Sequence, residues 1–207
     1  MKHYLYVGLL SSWSLAASAQ TPADAPSVRK LSVRFGLRLG LNHSNTNFNQ
    51  GEPKPTVPVE TTWRTGFVVG ALVQVDFTNK LALQQEYLLV QQGGKVNSSN
   101  TQYRLRYLSL PLLLKYRVVP RLALVAGPQF DLLLDARQET AGQTTSITHD
   151  TEERGLGATA GLEVQLWRGI SLSARYLQGL NHVGIGQRSA VQEFKWQSAQ
   201  VAAEVRF

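Results

Sequence analysis

Beyond residue 20 the chain has three histidines, His43, His149 and His182, and each lies near a residue with which it could do chemistry. A serine and a histidine within reach of one another, near the outer edge of a membrane, would suit a lipid deacylase or acyltransferase, with the imidazole taking the hydroxyl proton. His182 and Ser189 share one polar stretch, and Ser44 follows His43 directly. Serine and histidine are ordinary residues of such stretches, so neither pair defines a catalytic site. His149-Asp150 with Glu152 and Glu153 offers the carboxylate oxygens that calcium or magnesium prefers. A solvated acidic loop has the same composition. Gly155-x-Gly157-x-x-x-Gly161 has the glycine content of a phosphate-binding loop, but it sits inside an alternating segment and opens no helix, so it reads as packing. The chain has no cysteine, which excludes disulfides, thiolate metal sites and a cysteine nucleophile. The expectation is therefore a non-enzyme with no catalytic, cofactor-binding or metal residue, and no cofactor.

Charge is the other chemical resource. Lysine and arginine total 21 against 14 acidic residues, a net charge of +7, which would fit nucleic acid, an anionic membrane or lipopolysaccharide. Nucleic acid requires an exposed basic patch, preferably with stacking aromatics. Here Arg34, Arg38, Arg104, Arg106, Arg175 and Arg206 alternate into strand faces that also hold acids: Asp76, Glu86, Asp131, Asp135, Glu163 and Glu204. Charges of both signs on one face are expected to pair in an interior. Nucleic acid is thereby excluded as a partner.

The elements that position these groups count in twos. From Val33 onward apolar residues recur at every second position, the mark of strands with two unlike faces. Phe35, Leu37, Leu39 and Leu41 oppose Arg34, Gly36, Arg38 and Gly40; Leu156, Ala158, Ala160, Leu162 and Val164 oppose Gly155, Gly157, Thr159, Gly161 and Glu163. Eight such segments follow one another. In the fourth, Tyr103, Leu105 and Tyr107 are odd-numbered while Leu112, Leu114 and Tyr116 are even, which predicts a bulge or break near Ser109 to Pro111. Thr78-Asn79-Lys80, Val119-Pro120-Arg121 and Trp167-Arg168-Gly169 read as tight turns. Long polar connections, 43–63, 94–101, 136–153 and 182–194, alternate strictly with them, so all long loops fall at one end.

Lys2 and His3 followed by the apolar stretch Tyr4 to Ala16 and then Ala17-Ser18-Ala19 form a secretory signal peptide over residues 1–19. Residues 20–31 read as a flexible lead-in, and 32–207 as the folded domain. No run of 18 apolar residues exists, so a membrane-spanning helix is excluded. The polar strand face collects glycines, which suit the crowded inside of a small barrel. Aromatics sit largely near the apolar strand ends (Phe35, Phe77, Tyr103, Tyr107, Phe130, Phe207), where an interfacial girdle would lie. With export and one-sided long loops, these features predict an all-β fold. It is an eight-stranded antiparallel up-and-down transmembrane β-barrel of the outer membrane, with a polar interior, short periplasmic turns and long external loops.

Three blocks carry a family likeness: Leu81-Ala-Leu-Gln-Gln-Glu-Tyr87 through Gln91-Gln-Gly-Gly-Lys95, Tyr107-Leu-Ser-Leu-Pro-Leu-Leu-Leu-Lys-Tyr116, and Ala126-Gly-Pro-Gln-Phe130. They resemble the PorT-like, porin-like outer-membrane β-barrel family of Bacteroidetes over roughly residues 32–207, with Gln85 standing where members more often carry proline. The resemblance implies an integral outer-membrane barrel and brings no set of functional residues with it. The expected role is a non-enzymatic scaffold that presents external loops and contacts outer-membrane lipid and lipopolysaccharide. The alternatives are a narrow pore for small solutes, a lipid-modifying enzyme, or a component of a protein secretion system with envelope or secretion proteins as partners.

Overall fold

The computed structural model describes residues 31–50, 56, 58–97, 100–140, 142–185 and 192–207; the expected signal peptide, most of the expected lead-in and Ser189 lie outside them. In chain order the strands are β1 (Ser32–Asn47), β2 (Thr61–Asp76), β3 (Leu81–Val96), β4 (Thr101–Val119), β5 (Leu122–Thr140), β6 (Gln143–Ser146), β7 (Arg154–Trp167), β8 (Ile170–Gly179), β9 (Val183–Ile185) and β10 (Gln192–Arg206). Among the described residues eight of these form an antiparallel ring in the order β1-β2-β3-β4-β5-β7-β8-β10, closed by β10 against β1. The short strands β6 and β9 are additions that pair with β5 and β10. Closure satisfies the backbone of every ring strand, which a sheet in lipid must do.

The two-residue period decides which side of the ring each chain segment shows. Leu37, Leu39, Leu41, Leu114, Leu124, Leu162 and Val201 point out and are exposed, while Arg38, Leu113, Val125, Glu163 and Ala202 between them are buried. An exposed apolar belt on this scale would be untenable in water and is the lipid-facing band of a membrane barrel. Three tight connections sit at one end. In the β7–β8 turn Gly169 has φ 77°, a left-handed conformation that favours glycine, and its carbonyl accepts from Arg206 N.

The structure departs from the sequence expectation in three places. First, β4 carries no bulge at Ser109 to Pro111: its odd residues are buried without interruption from Thr101 to Lys115, and its register with β3 is unbroken. The shift falls instead on β5, where Arg106 faces Asp135 but Tyr107 faces Leu133, leaving Leu134 as the extra residue. Second, Tyr103, Leu105 and Tyr107 therefore point into the barrel and are not part of an outer girdle, whereas Arg104, Arg106 and Asp135 lie on its outside. Third, the strands run on past the apolar band. β1 reaches Asn47 and β5 reaches Thr140, and β5 then folds back through β6, so much of the expected loop sequence is sheet.

Candidate functional site: the barrel lumen

An eight-stranded ring has an interior just wide enough for side chains. Here the filling changes with height. At mid-barrel, Arg38 from β1 and Arg175 from β8 interleave with Glu204 from β10 and Glu86 from β3. Arg175 Nη1 donates to Glu86 Oε1 and Oε2 at 2.9 and 2.8 Å, and its Nη2 donates to Glu204 Oε1 at 2.8 Å. Arg38 is ion-paired with the same Glu204 and donates to Ser173 Oγ at 2.9 Å. All four side chains are at most 2% exposed. Charges this deep persist only when paired and hydrogen-bonded, and Gln84 adds a further donor to Glu86.

Nearer the tight turns, Glu163 accepts from Lys115 Nζ at 2.6 Å and from both terminal nitrogens of Arg206 at 2.8 and 2.7 Å. Arg206 also reaches Glu204, which links this layer to the one above. At the mouth Asp76 holds Arg34 at 2.7 Å and pairs with Arg117. Above mid-barrel Asp131 accepts from Ser109 and Gln129, and Gln129 in turn accepts from Thr159 at 3.2 Å.

At the outer end the lumen turns apolar. Phe48, Val96, Tyr103, Leu105, Tyr107, Ala136, Ile147, Val183, Phe194 and Trp196 form one buried cluster. Phe194 meets Trp196 edge-on at 4.9 Å and Phe48 at 5.3 Å, and Trp196 Nε1 donates to the Tyr107 hydroxyl at 3.3 Å. Aromatic edge-to-face packing of this kind adds specific geometry to burial. Below this cluster charged and polar side chains share the interior with buried apolar ones such as Leu72, Leu88 and Leu113, and the top is an aromatic stopper. The signal for it was the parity of Tyr103, Leu105 and Tyr107, which matches Ser109 and Lys115 further down the same strand.

The residues singled out for chemistry are not brought together. His43 lies outside, stacked on Trp63 at 5.3 Å and 3.1 Å from Thr65 Oγ1, while Ser44 is buried on the opposite face with its hydroxyl on the Gly93 carbonyl. His182 Nε2 is 3.0 Å from the Gln50 carbonyl, with Glu193 at 3.8 Å. His149 and Asp150 occupy a short 3-10 turn, Thr148–Asp150, and no cluster of three metal-ligating side chains occurs among the described residues. The glycines of β7 make room for the lumen: a Cβ on Gly157 would lie 2.7 Å from Leu177 Cδ1, and one on Gly161 would lie 2.8 Å from Arg175 Cγ.

Comparisons with known proteins agree with this architecture. A family model described as outer membrane protein beta-barrel domain matches residues 18–184. The fold is similar to the crystal structure of Neisserial surface protein A, at 14% identity and TM-score 0.53, over 84% of this chain and 97% of that one. It is also similar to Ail, the attachment invasion locus protein of Yersinia pestis, at 15% identity and TM-score 0.50, over 84% of this chain and 98% of that one. The outer membrane protein AlkL in lipid bilayers gives 11% identity and TM-score 0.50, over 92% of this chain and 96% of that one. No curated protein sequence matches the chain.

Proposed function

The chain belongs to the outer membrane protein beta-barrel domain family, and on that premise we propose that this outer-membrane β-barrel is a non-conducting, non-enzymatic scaffold that presents its external strands and loops at the cell surface. The observation that carries the reading is the double seal of the lumen: a buried ion-pair layer around Arg175 and Glu86, and above it the aromatic stopper around Phe194 and Trp196. Open aqueous channels are found in barrels of about 16 strands, twice the number here. The PorT-like kinship carried by the Tyr107–Tyr116 block, and export by a signal peptide over residues 1–19, belong to the same proposal.

Lipopolysaccharide is the partner this reading favours. On the outside of the barrel, just above the apolar band, Arg104 lies directly across from Arg137 in the β4–β5 register, and both are exposed. Arg137 and Arg106 share the carboxylate of Asp135, so three guanidinium groups stand beside one anion and the patch has charge for another. Lipid phosphates at the outer rim would supply one. Envelope or secretion-system proteins would dock on the external strands, and nucleic acid has no part in the reading.

The test is planar-bilayer conductance of protein extracted from outer membranes, with a heat-shifted gel band to confirm an intact barrel. The expected result is a folded and silent barrel. Reproducible conductance steps would replace the scaffold with a narrow pore.

A further inference from the structure

Beneath the ion-pair layers the barrel opens toward the periplasm in a cup of about 380 Å³. Its floor is Lys115, Glu163 and Arg206, each nearly buried, with Ser171 beside them. Around its rim stand Arg34, Asp76, Arg117 and Arg121.

The charges of this cup do not cancel. Asp76 is shared by Arg34 and Arg117, and Glu163 is shared by Lys115 and Arg206. Arg121, exposed at the β4–β5 turn, has no ion pair among the described residues. Counting Glu204, which Arg206 also reaches, five cations thus meet three carboxylates, and the recess keeps a net positive charge. A recess of one sign with low-dielectric walls focuses its field on whatever enters. The recess is also blind: beyond its floor lies the buried Arg38, Glu86, Arg175 and Glu204 layer.

We propose that the periplasmic cup is a binding site for a small, soluble, multivalent oxyanion, of the phosphate or sulfate class, held between Arg121, Arg117 and Arg34 at the rim and Lys115 and Arg206 at the floor. Guanidinium groups fit such ligands because their planar forks donate two parallel hydrogen bonds to one oxyanion. The cup opens along the barrel axis, away from the apolar belt, so its ligand arrives from the periplasm and not from the lipid. The site stands on the cup's own geometry and holds whether or not the lumen conducts.

The experiment is calorimetric titration of inorganic tripolyphosphate into the protein in phosphatidylcholine nanodiscs at low ionic strength. The expected result is saturable binding with one anion per barrel. It should weaken at least about tenfold in Arg121→Glu and in Arg117→Gln, because each change alters the charge beside the anion, and by a similar factor on raising salt from about 0.05 to 0.5 M. Arg121→Lys should retain most of the affinity. Arg154→Glu, an exposed change at the opposite end of the barrel, should bind as the parent does. Because Arg121 lies on an exposed turn, its variants keep the heat-shifted band and remain interpretable. Absence of saturable binding, or equal binding by Arg121→Glu, overturns the proposal. Nanodiscs containing phosphatidylglycerol provide the last arm. Binding that persists there supports a soluble ligand, whereas its loss hands the cup to lipid headgroups and overturns the assignment.

Discussion

Arg175 and Glu86 reach each other across the full width of the barrel: β8 and β3 are four strands apart in a ring of eight, and one guanidinium nitrogen is shared between both carboxylate oxygens at 2.9 and 2.8 Å. The pair works as a strut between opposite walls. Removing one partner would strand a buried charge, at a cost of about 3–5 kcal/mol. Glu86→Leu and Arg175→Met should each lower the urea midpoint accordingly. The double variant Glu86→Leu/Arg175→Met should recover much of the loss, since Arg38 and Glu204 still pair with each other. A double variant no better than the sum of the singles would show that the strut acts through something other than charge.

The two seals should act in series. Tyr107→Ala/Trp196→Ala empties much of the stopper yet leaves the ion-pair layer, so it should stay silent in planar bilayers. Adding Glu86→Ala and Arg175→Ala should produce small conductance steps. Conductance from the stopper variant alone would mean that the charged layer does not close the lumen.

Lipid-face substitutions should depend on depth. Leu37 points outward at the middle of the apolar run of β1, and Val33 lies at its end nearest the tight turns. Leu37→Arg should destabilise the barrel by about 2–4 kcal/mol and Val33→Arg by about 0–1 kcal/mol, read from unfolding in liposomes. Equal costs would contradict the placement of the bilayer along β1.

The histidines should be dispensable for lipid chemistry. His182 contacts a backbone carbonyl, and His43 lies on the opposite face from Ser44. Lipid profiles of a strain carrying His182→Ala/Ser189→Ala as its sole copy should match the parent. A changed acylation pattern would restore the enzyme reading.

Much of this fold is legible in the sequence because the side-chain period of a strand is fixed. Once Leu37, Leu39 and Leu41 are taken as outward, Arg38 must be inward, and the same reasoning places Glu163, Arg175 and Glu204. What the period cannot supply is height. Tyr103, Leu105 and Tyr107 look like lipid-facing residues when apolar is equated with outward, yet they lie above the band, where the interior and not the exterior is apolar. The break expected at Ser109 to Pro111 is absent for the same reason. Alternation in β4 holds from Thr101 to Tyr116; only the composition of its faces changes there, and the extra residue belongs to β5 at Leu134. Pairings such as Glu86 with Arg175 depend on ring closure and leave no mark in local sequence. The surplus charge of the cup likewise emerges only when β1, β4 and β10 bring Arg34, Arg117 and Arg206 into one recess.

The closing seam between β1 and β10 sets a timetable for the chain's life. Arg38 and Glu204, direct neighbours across that seam, are 166 residues apart, so the first strand to be made waits for the last. Until β10 docks, β1 and β8 present bare hydrogen-bonding edges beside a broad oily face, a template for aggregation. Contacts this distant in sequence are also slow to form, because chain entropy must be lost before they can reward it. The polypeptide therefore stays vulnerable while the seam is open, and it becomes durable only in the final step of assembly.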